Sequence, residues 1–205
     1  MVLAFALALG YLLGSIPFAV LVSRALGLPD PRSFGSGNPG ATNVLRGGSR
    51  LAAAITLVGD AVKGSAAVWL GATLATHASP GAFAAETLAA AAGFAAFLGH
   101  LYPCTLGFAG GKGVATAAGV LLALSPPSGL VVIVVWIAVA ALSRYASLAG
   151  VVAALAAVGL WFANLGLSPE AGLIALMAGL LIWRHRENVR RLFAGTESKI
   201  GRRAR

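Results

Sequence analysis

Apolar residues in this chain gather into seven runs, near residues 1–22, 51–75, 82–103, 114–125, 128–143, 146–165 and 170–183, each closed off by Gly, Pro, Ser or charge. Each run is expected to cross a membrane as a helix, which predicts an all-α protein of seven transmembrane helices. One run breaks the pattern. Val114 to Ser125 falls well short of the ~20 residues that a crossing helix needs. If Ser125-Pro126-Pro127-Ser128 is external, the glycines and Lys112 that precede this run lie partly inside the protein, at the floor of a cytoplasm-facing cavity. That geometry suits a half-helix whose N-terminus points at an anion.

Composition makes the membrane unavoidable. With 59% hydrophobic and 10% charged residues and a mean hydropathy of +0.88 over 205 residues, the chain cannot hide its apolar surface in a soluble core. Charge then sets the expected topology. Seven spans put alternate connections on opposite faces, and one set holds 14 of the 15 Lys and Arg residues. The remaining one, Lys63, lies within the second run, while Glu86, Glu170 and the stretch His77 to Gly81 fall towards the other face. The N-terminus is therefore expected outside and the tail inside. Residues 1–22 lack a basic start and a cleavage site, so the first span is expected to be retained. The basic tail from about residue 184 suits anionic headgroups better than nucleic acid, whose binding is not expected. Lone Cys104 permits no intrachain disulfide. A single membrane domain over 1–205 is the economical description.

Two polar stretches carry the candidate chemistry. The first, Gly35-Ser36-Gly37-Asn38-Pro39-Gly40-Ala41-Thr42-Asn43, lies in a connection of roughly 28 residues, longer than simple links need. Ser36, Asn38, Thr42 and Asn43 offer hydroxyls and amides, and Arg46 offers a fork that matches a phosphate dianion. The second, Gly107-Phe108-Ala109-Gly110-Gly111-Lys112-Gly113, couples backbone N–H groups freed by glycine to a fixed cation, the makings of an anion cradle. Glycines at 110, 111 and 113 would also serve close helix packing, but packing alone does not call for Lys112.

Other polar residues are fewer. His185 and Asn188 stand three apart, on one face of a helix, and can reach into one cavity, with His185 as base or hydrogen-bond anchor. Asp60 and Lys63, also three apart inside an apolar run, can form an internal pair or touch substrate. His100, beside Tyr102 and Pro103, can orient the glycine loop or be a satisfied buried histidine. The chain has no Gly-x-Ser-x-Gly, no His followed by Asp at the step used by soluble-type glycerolipid acyltransferases, and no carboxylate cluster fit for magnesium.

Together these residues resemble a known set. Gly14-Ser15-Ile16-Pro17, Gly35 to Arg46, Asp60 to Gly64, Gly99-His100 to Tyr102-Pro103, Gly110 to Thr116 and His185 to Asn188 are similar, in the same order, to the motifs of the bacterial acyl-phosphate:glycerol-3-phosphate acyltransferase family. Ala109 departs from the lysine often found there. The resemblance implies transfer of a fatty acyl group from acyl phosphate to the 1-hydroxyl of glycerol 3-phosphate at the inner face of the bacterial cytoplasmic membrane. It implies no use of coenzyme A or acyl carrier protein. No metal and no cofactor are expected, and the enzyme that makes acyl phosphate is a candidate for coupling. Ser36, Arg46, Lys112, His185 and Asn188 are the expected catalytic residues. Gly37, Asn38, Thr42, Asn43, Lys63, Gly110, Gly111 and Gly113 are the expected substrate and phosphate contacts. Either His185 or a substrate phosphate takes the hydroxyl proton. An organophosphate or anion transporter is the competing reading.

Overall fold

In lipid a chain must satisfy its own N–H and C=O groups, so each apolar block is driven to helix. The computed structural model describes residues 1–77 and 84–201. The helices are α1 Val2–Gly14, α2 Phe18–Ala25, α3 Ala41–Arg46, α4 Arg50–Ala75, α5 Ala85–Leu101, α6 Val114–Leu124, α7 Pro126–Ser143, α8 Ala146–Leu165, α9 Pro169–Arg184 and α10 Arg186–Phe193, with a 3-10 turn at Cys104–Leu106. The described residues contain no strand, in keeping with the all-α expectation.

Five helical stretches are long and apolar enough to cross a bilayer: Val2–Ala25, Arg50–Ala75, Ala85–Leu106, Pro126–Ser143 and Ala146–Leu165. The other two expected spans are shorter, with 11 residues in α6 and 16 in α9. Their rise is about 16 and 24 Å, against roughly 30 Å of hydrocarbon. Helix α9 is bounded chemically at both ends. The Ser168 hydroxyl accepts from the Ala171 N–H with Pro169 at the first position, and the polar run Arg184-His185-Arg186 closes it.

The first apolar run is not one helix. Pro17 has no N–H and keeps Ile16 out of helical geometry, so α1 stops and α2 begins afresh. The break frees two carbonyls for other elements. Thr105 Oγ1 donates to the Ser15 carbonyl at 2.6 Å, and Lys63 Nζ to that of Ile16 at 2.9 Å.

Helices α1, α4, α5 and α6 pack as one group and α7, α8 and α9 as another, joined through α6–α7 and α5–α9. Lipid supplies little hydrophobic force between helices, so small residues that let backbones approach do the work. A Cβ placed on Gly14 would stand 2.0 Å from the Ala96 carbonyl oxygen. Larger side chains, Phe97, Leu101, Val120, Trp161, Met177 and Leu181, fill the junction of the two groups. Val62, Trp69, Val134, Leu142 and Leu155 stay exposed on the outside, where lipid covers them.

The two ends of the bundle differ. At one, the Thr87 hydroxyl donates to Glu170, tying the starts of α5 and α9. At the other, the loop after α5 meets the end of α9, beside the 26–40 loop and α10. His77 is exposed at the end of α4, as expected of a connecting residue. The rest of its expected outer stretch, 78–81, lies outside the described residues.

Candidate active site

The glycine loop is built against the end of α5. The Gly110 N–H donates to the Leu101 carbonyl at 3.2 Å and the Gly111 N–H to the His100 carbonyl at 3.1 Å. From the other side Arg184 clamps it: one terminal guanidinium nitrogen donates to the Gly110 and Gly111 carbonyls at 2.8 and 3.1 Å, and Nε to Gly111 at 3.2 Å. Side chains at 110 and 111 have no room, because a Cβ would lie 2.2 Å from the His100 carbonyl oxygen and from His100 Nε2 respectively. Gly113 takes a left-handed φ of +82° to start α6.

This arrangement changes which N–H groups are open. The N–H groups of Gly110 and Gly111 are already spent on backbone, so they have none to offer an anion. The first intrahelical bond of α6 is Ala117 N–H to Gly113 at 2.7 Å. Among the described residues, the N–H groups from Lys112 to Thr116 have no partner in the chain, as at any helix start.

Lys112 joins this N-terminus to the tail. Its ammonium donates to Asn188 Oδ1 at 2.5 Å, and Asn188 Nδ2 donates to Glu197 Oε1 at 2.7 Å. The same carboxylate accepts from the Ser147 hydroxyl at 2.8 Å and from Arg191 Nε at 2.7 Å. Burial lowers the Lys112 pKa to about 8; Arg191, Arg46 and Arg184 push it the same way, and Glu197 opposes them. Burial raises the Glu197 pKa, yet the hydrogen bonds from Asn188, Ser147 and Arg191 outweigh that and hold the group below the usual glutamate value.

His185, the residue that caps α9, is buried at 3% exposure. Its Nδ1 lies 2.8 Å from the Leu181 carbonyl. That acceptor assigns the proton to Nδ1 and leaves Nε2 as an acceptor, near Gly150. Burial and then the Lys112 charge lower its pKa to about 4, so the ring is neutral at pH 7.

The 26–40 loop and α3 supply the rest. Asn43, 3% exposed, spends its amide on the loop itself: Oδ1 accepts from the Ser36 N–H at 3.0 Å, and Nδ2 donates to the carbonyls of Pro31 and Phe34 at 2.6 and 3.1 Å. Asn38 Nδ2 likewise donates to the Ser36 carbonyl at 3.1 Å. Gly37 makes the turn with φ +67°. Ser36 and Thr42 are half-buried and keep their hydroxyls unbonded among the described residues. Arg46 lies against Gly35, and its Nε is buried with no hydrogen-bond partner among the described residues. Burial lowers its pKa, the cost of holding a cation away from water.

Lys63 stands apart from this cluster, between Asp60 and the Ile16 carbonyl. Arg184, Arg191, Ser147 and Glu197 were not among the residues singled out from sequence. Glu197 left a faint signal, a carboxylate in a tail crowded with cations. Only the turn at Gly195, φ +68°, brings it back on Asn188.

Counted over Lys112 and the described groups whose charges act on it, the cations Arg46, Lys112, Arg184 and Arg191 against the carboxylate of Glu197 leave +3. Fold and site together define an integral helical membrane protein with a cationic polar cluster in its bundle. Residues 4–195 match the family model for glycerol-3-phosphate acyltransferase. The chain is 58% identical over 196 residues to the glycerol-3-phosphate acyltransferase of Laribacter hongkongensis, covering 95% of this chain and 94% of that one. It is 54% identical over 203 residues to that of Bordetella pertussis, covering 95% and 90%. Its fold is similar to crystal structures of PlsY, an integral membrane glycerol 3-phosphate acyltransferase. The glycerol 3-phosphate form superposes with a TM-score of 0.87 at 35% identity, covering 97% of this chain and 96% of that one. The lysophosphatidic acid form gives 0.85 at 34%, covering 98% and 96%. The chain belongs to this glycerol-3-phosphate acyltransferase family, of PlsY type.

Proposed function

We propose that this protein transfers a fatty acyl group from acyl phosphate to the 1-hydroxyl of glycerol 3-phosphate, releasing lysophosphatidic acid and phosphate at the cytoplasmic face of a bacterial inner membrane. The observation that carries this reading is that Lys112, at the open N-terminus of α6, feels the charge of Arg46, whose buried Nε lacks a partner among the described residues. Both reactants bear phosphate, each with up to two negative charges near neutral pH, which suits a site of +3.

In this reading Lys112 and the N–H groups from Lys112 through Gly113 into α6 hold one phosphate, and Arg46 with Ser36 and Thr42 holds the other. Gly110 and Gly111 act by fitting the loop against α5. Gly37, Asn38 and Asn43 hold the first loop in shape, Asn188 aims Lys112, and Lys63 is a positioning residue. The acyl phosphate is an activated anhydride, so the enzyme chiefly supplies orientation and charge. Those are worth roughly 7–11 kcal/mol in well-aligned cases. The hydroxyl oxygen attacks the acyl carbonyl, the C–O bond to phosphate breaks, and the hydroxyl proton passes to a phosphate oxygen. Phosphate, with a second pKa of about 6, is a stronger base than an imidazole at about 4. His185 Nε2 then serves as the acceptor for the neighbouring 2-hydroxyl, which orients glycerol 3-phosphate and leaves the 1-hydroxyl proton free to pass to phosphate.

The test is turnover of purified protein in detergent with acyl phosphate or acyl-CoA as donor and glycerol 3-phosphate as acceptor. Release of phosphate with lysophosphatidic acid is expected from acyl phosphate alone. Strict preference for the thioester would overturn the donor assignment. A carrier would form no product and would show its activity, transport, only in sealed vesicles.

A further inference from the structure

Three buried polar residues touch no reactant in this reading. Asp60, Lys63 and His100 are 2%, 4% and 7% exposed, inside helices that face lipid elsewhere. Charges at such a place are costly and call for a role. Asp60 Oδ1 lies 2.7 Å from Lys63 Nζ and 3.4 Å from His100 Nδ1. Lys63 also donates to the Ile16 carbonyl freed by the break before Pro17. The opposite edge of the imidazole abuts the glycine loop, at the position where a Cβ on Gly111 would meet Nε2. A narrow cleft lined by Asp60, Lys63, His100, Gly110 and Gly111 joins the two.

We propose that Asp60 and Lys63, acting through His100, form the positioning device that fixes the glycine loop and so sets how tightly the α6 end holds phosphate. The inference rests on the reading that this loop end is a phosphate site. An apolar trio would fill the space at lower desolvation cost, so packing does not explain the charges. A fixed carboxylate, in contrast, orients an imidazole through Nδ1, and with it the edge presented to Gly111. Arg184 holds the loop from the other side, so His100 and Arg184 act as two jaws. If the imidazole edge tilts, the loop regains play, and Lys112 with the N–H groups that follow it loses its fixed aim.

The test uses the full-length protein in detergent, with His100→Ala, His100→Asn, Asp60→Asn and Lys112→Ala. Three readouts are needed: KM for glycerol 3-phosphate, kcat, and the affinity for inorganic phosphate taken from the rise in unfolding temperature on titration, which requires no turnover. A device that positions the loop predicts that His100→Ala and Asp60→Asn weaken phosphate binding and raise KM in parallel, each by about tenfold, while kcat stays within about threefold. His100→Asn, which returns a donor near Nδ1, recovers part of that loss. Unchanged KM and phosphate affinity in His100→Ala would overturn the proposal, even if the unfolding temperature falls, because the trio would then only tie helices together. Should Asp60→Asn not fold, the two His100 variants decide. Lys112→Ala separates the layers: if it keeps full phosphate affinity, the loop reading itself fails. If it loses affinity and His100→Ala does not, only the positioning role is refuted.

Discussion

Lys112 Nζ and Asn188 Oδ1 meet at 2.5 Å across 76 residues of chain, and this contact fastens the glycine loop to the tail. Asn188 is suited to the joint because its amide carries an acceptor for the ammonium and a donor for the Glu197 carboxylate. Neither Asp nor Leu could do both.

Replacing Lys112 with alanine is expected to lower kcat/KM by about 10²–10³-fold, the usual loss for one preorganised charge at a reacting phosphate or oxyanion. Lys199→Ala, whose ammonium lies 5.8 Å from the centre of the Tyr145 ring, should change it by less than about twofold. The pH profile adds a sign. Lys112 is charged below its pKa of about 8, so kcat/KM should fall as pH rises through that value. Lys112→Arg should move this limb out of range.

For His185, a ring neutral down to about pH 4 should show no titration between pH 5 and 8 when followed by NMR in the free protein. His185→Ala is expected to raise KM for glycerol 3-phosphate by about tenfold with kcat within about threefold, the mark of a lost orienting contact. A drop in kcat beyond about 10³-fold at saturation would assign His185 as the base.

Asn43→Ala removes three hydrogen bonds from the first loop and strands the Pro31 and Phe34 carbonyls. Stability should fall by about 2–3 kcal/mol. Limited proteolysis should cut within 27–46 faster than in the parent, with Asn43→Asp no better, because its oxygens would face two carbonyls.

Glu197→Ala leaves Arg191, Ser147 and Asn188 without their common acceptor and should lower stability by about 2–4 kcal/mol, read from thermal unfolding. The folded carboxylate has a lowered pKa, so its stabilisation is full above the ordinary glutamate range and is lost as pH falls through the folded value. The parent's unfolding temperature should therefore drop in acid more steeply than the variant's.

Much of the candidate site is legible in the sequence, because few residue types suit the phosphate chemistry proposed for it. Glycine beside lysine, Arg46 after a glycine-rich loop, and a His and Asn three apart on one helix each have a local reason. The short run before Ser125 also showed its defect by length alone. Arg184 and Glu197 were not visible. One acts on carbonyls 73 and 74 residues away, the other through a turn that no periodicity announces. The glycines themselves were half understood: their absent side chains admit His100 and Phe97, a reason that belongs to α5 rather than to the loop.

The sequence by itself determined that the chain lives in lipid and is helical, and which cations were available for anions, since those follow from hydropathy, backbone hydrogen bonding and residue type. Only the tertiary structure decided which N–H groups remain open. It also decided where Asn43 and Lys63 spend their polar atoms, and that Glu197 closes the circuit behind Lys112. Each of those outcomes depends on partners distant in the chain, and hydrogen-bond competition between distant groups is settled only when the helices pack.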